Sequence, residues 1–145
     1  MKNRFIVALV FMMALFVSTP EAKAQDCDSE LYSNMALKKL TDGFTFIKSF
    51  KVDGKGGTRR DIEYTCVFSK DTKYKVILQS RDGDATGIIA TLFNSKREKL
   101  ASSHNNGKFY TGWTYVCKAT GIYYLRFSFK DSHSYCGGAV LGFKR

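Results

Sequence analysis

The sequence predicts an all-β fold: an antiparallel two-sheet sandwich, jelly-roll-like, of about eight strands, with one short N-terminal helix. Three observations lead there. From Gly43 onward the apolar residues recur with a period of two, the mark of strands with one buried face. Clusters of Gly, Asp, Asn and Ser separate these runs at close, even spacing. The one proline, Pro20, precedes the patterned region, so no run carries a residue that is barred from a central ladder. A closed barrel would show the same period.

Residues 1–24 read as a leader. Lys2 and Arg4 give a positive start, Phe5 to Val17 is apolar throughout, and Ala22-Lys23-Ala24 supplies a small-x-small cleavage site. The apolar run is shorter than the ~20 residues a bilayer span requires. Cys27 follows Gln25 and Asp26, which argues against a lipid anchor at the cleavage point. The expected product is a single domain, residues 25–145, exported to a periplasm or beyond the cell. It has no second apolar stretch of membrane length. Loss of Lys2, Arg4, Lys23 and Glu21 takes the formal charge from +10 to +8.

A positive excess favours anionic neighbours: polysaccharide, lipid headgroups or acidic proteins. Export removes nucleic acid from reach. The basic residues are scattered between Lys38 and Lys99 instead of forming a block, the distribution of a solvated surface.

Asp28 is placed to cap a short helix, with Leu31, Met35 and Leu40 as its apolar stripe and Asp42-Gly43 as its end. Phe44, Phe46, Phe50 and Val52 then alternate with polar residues, and Lys48 interrupts the face as a bulge or edge would. After the glycine loop 54–57, Ile62, Tyr64, Cys66 and Phe68 alternate. Ser69 to Thr72 turns the chain into Tyr74, Val76 and Leu78, which reads as a hairpin. The run Ile88–Phe93 is apolar on both faces, as in a central strand. A brief strand near Lys99–Ala101, a polar loop from Ser102 to Lys108 and a strand through Trp113, Tyr115 and Cys117 follow. The last two runs, Tyr123–Phe129 and Tyr135–Phe143, read as a second hairpin.

Four cysteines, Cys27, Cys66, Cys117 and Cys136, suit an oxidising compartment and two disulfides. No C-x-x-C pair is present, so zinc is disfavoured. A strand of about seven residues would hold Cys117 and Cys136 more than ~20 Å apart, beyond bridging range. The pairings left are Cys27–Cys136 with Cys66–Cys117, and Cys27–Cys117 with Cys66–Cys136; the first is preferred.

Catalytic groups are sparse. His104 lies in a polar loop beside Ser102 and Ser103, and His133 in a turn; adjacency on one loop does not predict triad geometry. Asp82 and Asp84 are the close carboxylate pair outside the N-terminal Asp26 and Asp28. Their glycine-flanked loop suits a turn, with calcium as the one cofactor these alternating oxygens suggest. Among the aromatics, Trp113, Tyr115, Tyr123 and Phe127 share the core phase. Tyr110 and Tyr124 fall on the opposite phase and are the candidate ligand-binding residues, suited to stacking on sugar rings.

The segments Thr72–Ser80 (TKYKVILQS), Gly87–Ser103 (GIIATLFNSKREKLASS) and Trp113–Phe129 (WTYVCKATGIYYLRFSF) occur in an order that resembles the bacterial pre-peptidase C-terminal domain over residues 62–129. Thr120 to Leu125 is the most specific part. The resemblance implies a jelly-roll-like accessory domain associated with polymer binding and sometimes with calcium. Thr86-Gly87-Ile88 stands where acidic residues often occur in that family.

Together these readings predict a noncatalytic exported binding module for polysaccharide or another anionic envelope component. The alternative is a small envelope structural or inhibitor-type protein that binds another protein. A small hydrolase ranks below both. The oligomeric state is left open.

Overall fold

The computed structural model describes residues 26–81, 83 and 85–145. The expected leader 1–24 and the pair Asp82 and Asp84 lie outside the described residues.

Helix α1 spans Ser29–Lys38, and Asp28 caps it as predicted, its carboxylate accepting the Leu31 N–H at 3.0 Å. The buried stripe is another one, however. Tyr32, Ser33 and Ala36 face the protein, whereas Leu31 and Met35 are exposed. The reason lies across the interface, where the helix crosses Gly138. A Cβ at Gly138 would strike the backbone of Ser29 and Ser33, so only small helix residues can approach there. Ser33 Oγ also donates to the Phe50 carbonyl at 3.3 Å. Leu40, the third residue of the expected stripe, packs with Ala36, Ile77 and Val140.

The strands are β1 (Thr45–Asp53), β2 (Asp61–Phe68), β3 (Lys73–Ser80), β4 (Ile88–Phe93), β5 (Lys99–Ser102), β6 (His104–Asn105), β7 (Lys108–Phe109), β8 (Gly112–Val116), β9 (Gly121–Phe129) and β10 (Cys136–Lys144). They form two four-stranded antiparallel sheets, A in the order β1-β10-β3-β8 and B in the order β2-β9-β4-β5, plus the ribbon β6-β7. This is the predicted sandwich. The inward phases of both sheets meet in one core that includes Phe50, Ile62, Phe68, Val76, Leu78, Leu92, Leu125 and Phe127. β4 holds the predicted inner position, between β9 and β5. β1 is an edge strand, and its register slips between Phe46 and Lys48, the bulge the sequence marks.

The two expected hairpins are crossovers instead. β2 pairs with β9 and β3 with β10 and β8, so the turn at Ser69–Thr72 carries the chain from sheet B to sheet A. The stacked rings of Phe68 and Tyr74, 3.8 Å apart, lie face to face across the core. β9 and β10 are likewise in different sheets. A short polar turn looks the same whether the chain returns beside a strand or above it, because the inward alternation is identical in both cases.

Each flank of the sandwich is tied. On one side Phe50 of β1 meets Tyr64 of β2, whose hydroxyl donates to the Lys51 carbonyl at 2.7 Å. On the other, the Trp113 indole of β8 donates to the Ala90 carbonyl of β4 at 3.0 Å. Cys27 and Cys136 are bridged, with Cα atoms 5.4 Å apart, which joins the helix entry to the start of β10. The second expected bridge does not form, and Cys66 and Cys117 are free. Cys66 stands opposite Tyr123 in the β2–β9 ladder, whereas Cys117, just past β8, meets the far end of that side chain, its Sγ 3.4 Å from the Tyr123 hydroxyl.

Candidate functional site

Of the two tyrosines predicted to bind ligand, Tyr110 lies in the loop between β7 and β8 and Tyr124 on β9 of sheet B, and the structure does not bring them together. Tyr110 follows the β6-β7 ribbon and is half exposed. Its N–H donates to the Ser103 carbonyl at 2.7 Å, and the next carbonyl, that of Thr111, accepts from Leu78 N–H at 2.7 Å. This splices the segment onto β3. Gly112 permits the join, since a Cβ there would collide with the Val76 carbonyl.

Tyr110 thereby lines a groove of about 340 Å³ on the outer side of sheet A, between the C-terminus of α1 and β8. Lys39, Lys75, Thr111 and Thr114 also line it. Lys39 Nζ donates to the buried Gln79 side-chain carbonyl at 2.6 Å, a neutral partner that leaves the ammonium charge uncompensated by that contact. Lys75 Nζ pairs with the Asp42 carboxylate at 3.0 Å and lies over the Phe44 ring. That hydrogen bond holds the Asp42 carboxyl below its usual range. The groove thus puts an aromatic side chain, hydroxyls and positive charge in one place.

Tyr124 lies on the outer face of sheet B, where the Arg97 guanidinium covers its ring at 3.7 Å. Arg97 comes from the β4-β5 turn, with φ of 66°, and reaches across β9 to place both oxygens of Glu63 at 2.7–2.8 Å from its Nη1. Arg126 donates to the same carboxylate at 3.0 and 3.1 Å and lies over the Phe93 ring. The Arg97 hydrogen bond, helped by Arg126, holds the Glu63 carboxyl below its ordinary value. Sequence phase marks Glu63, Tyr124 and Arg126 as outward. It gives no sign that a turn arginine folds back over the sheet.

His104 packs on Phe109, ring centroids 4.7 Å apart, while Ser103 Oγ accepts the Ala90 N–H at 2.8 Å. The hydroxyl and imidazole therefore serve different neighbours. His133 lines a cleft of about 620 Å³ at the disulfide end, together with Asp28, Asp53 and Arg81. Asp28 is occupied as the helix cap, and Asp53 accepts the Lys55 N–H at 2.8 Å. Among the described residues no cluster of three His, Cys, Asp or Glu side chains has metal-binding geometry. Burial pushes the Cys66 thiol up to about 11, and Cys117 donates to the Ala119 carbonyl at 3.1 Å.

No protein-family model and no curated protein matches the sequence. Solved structures do. The chain is similar to the pre-peptidase C-terminal domain of collagenase from Bacillus anthracis, with a TM-score of 0.47 and 18% identity over 70% of this chain and 89% of that one. It is also similar to Aeromonas hydrophila PliG, a periplasmic inhibitor of g-type lysozyme, with a TM-score of 0.45 and 14% identity over 72% of this chain and 90% of that one.

Proposed function

We propose that the protein is a noncatalytic, exported binding module for an anionic polysaccharide of the cell envelope, held in the groove between α1 and β8. The observation that carries this reading is the half-exposed ring of Tyr110 in a groove that also contains the Lys39 and Lys75 ammonium groups. Tyr110 supplies the stacking surface, Lys39 the charge for a carboxylate or sulfate, and Thr111 and Thr114 the hydroxyls. Tyr124 does not share the role, because Arg97 occupies its ring face. The Cys27–Cys136 bridge and the leader-like residues 1–24 support export. The pair Asp82 and Asp84 remains a proposed calcium site beside this function.

A glycan array presented with neutral, uronic and sulfated oligosaccharides tests the reading, run with and without calcium. Retention of acidic glycans, reduced about tenfold by Tyr110→Ala, is expected. A calcium requirement abolished by Asp82→Asn would add the metal to the account. Retention of neutral glycans alone, or no retention in either condition, contradicts the proposal.

A further inference from the structure

The outer face of sheet B is built differently from the Tyr110 groove. Its central rows follow from the ladder: Glu63 opposite Arg126, Thr65 opposite Tyr124, and Val67 opposite Ile122. Val67 is 72% exposed and Ile122 49%, two branched aliphatic side chains side by side in water. Next to them the Arg97–Glu63–Arg126 network locks two guanidiniums over two aromatic rings. One carboxylate serves two arginines, so the network keeps a net positive charge. Arg97 uses only its Nη1 on Glu63 and Arg126 its Nε and Nη2, which leaves further N–H donors on each guanidinium.

We infer that this face docks a protein partner that sets an acidic side chain against the arginines and an apolar side chain against Val67 and Ile122. Arginine and tyrosine held rigid beside exposed aliphatics are the make-up of an interface hot spot, because little side-chain entropy is left to lose on docking. Charge complementarity selects the partner. A second copy of this chain would bring the same net-positive patch against itself, with no carboxylate in its central rows beyond the Glu63 already shared by both arginines. A polysaccharide would leave the aliphatic pair uncovered and would find both aromatic rings already roofed.

The test uses a phage-displayed library of random 12-residue peptides panned on the folded, disulfide-bonded protein. Enriched peptides are expected to combine Asp or Glu with Leu, Ile or Val. They should shift the amide resonances of residues 63–67 and 122–126 in a nitrogen-15 spectrum. Val67→Thr, which keeps the branched shape at an exposed strand position, and Arg97→Glu should each weaken the chosen peptide, Arg97→Glu by about tenfold or more. Peptides without carboxylates, shifts elsewhere, or the absence of any enriched sequence would overturn the inference. So would a sulfated heparin fragment that binds this face as tightly as the peptides do.

Discussion

Gly138 shows how much one missing side chain can decide. With hydrogen in place of Cβ, the α1 backbone at Ser29 and Ser33 lies directly on β10. Gly138→Ala is expected to push the helix off the sheet and to cost roughly 1–3 kcal/mol, the range of an overpacked contact, read from urea unfolding. Glu63 acts through charge. Its carboxyl is held below the ordinary 4.5 by Arg97 and Arg126, so its contribution is complete above that value and is lost as pH falls through the lowered one. Acid titration of Glu63→Gln should therefore show a shallower loss of stability below pH 4.5 than the native protein. The pair is partly solvated, so the difference should stay under about 1 kcal/mol.

At the scale of elements, the helix was legible in its existence and its cap but not in its buried face. Leu31 and Met35 belong to the more hydrophobic stripe, yet Tyr32, Ser33 and Ala36 are the helix residues that face the sheet, and of the expected stripe only Leu40, past the helix end, packs there. Hydrophobicity alone favours the wider stripe. The glycines that demand a narrow one sit about a hundred residues away, on β10, and no local pattern links them to α1. The disulfide is a similar long-range tie. Excluding Cys117–Cys136 leaves two pairings open, and the preferred one contains the observed Cys27–Cys136; the exclusion survives even though β9 and β10 are not a hairpin, because β9 still separates the two ends. The bridge spans 109 residues, so Cys136→Ser is expected to cost about 2–5 kcal/mol through the freed unfolded chain. Thermal or denaturant unfolding of the variant measures it; an unchanged midpoint would show that the bridge is not formed.

For the whole molecule, strand positions, inward phases and the sandwich class were readable from the period of two. Sheet partners were not. Phe68 and Tyr74 alternate as neighbours in a hairpin would, but they stack across the core because β2 and β3 belong to opposite sheets. The same limit separated the candidate residues. Phase identified Tyr110 and Tyr124 as outward-facing and could not state that one lines a groove while the other lies under Arg97. Lys39 and Lys75 escaped notice as site residues because helix end and strand meet only after folding.

The groove between α1 and β8 is the proposed seat of an acidic sugar chain. The most direct measurement is a nuclear magnetic resonance titration of the isotope-labelled protein with a uronic-acid oligosaccharide, repeated on Tyr110→Ala. Saturable shifts confined to residues 39, 75 and 110–114, lost in the variant, are the expected result. Shifts centred on another face, or none at millimolar oligosaccharide, would contradict it.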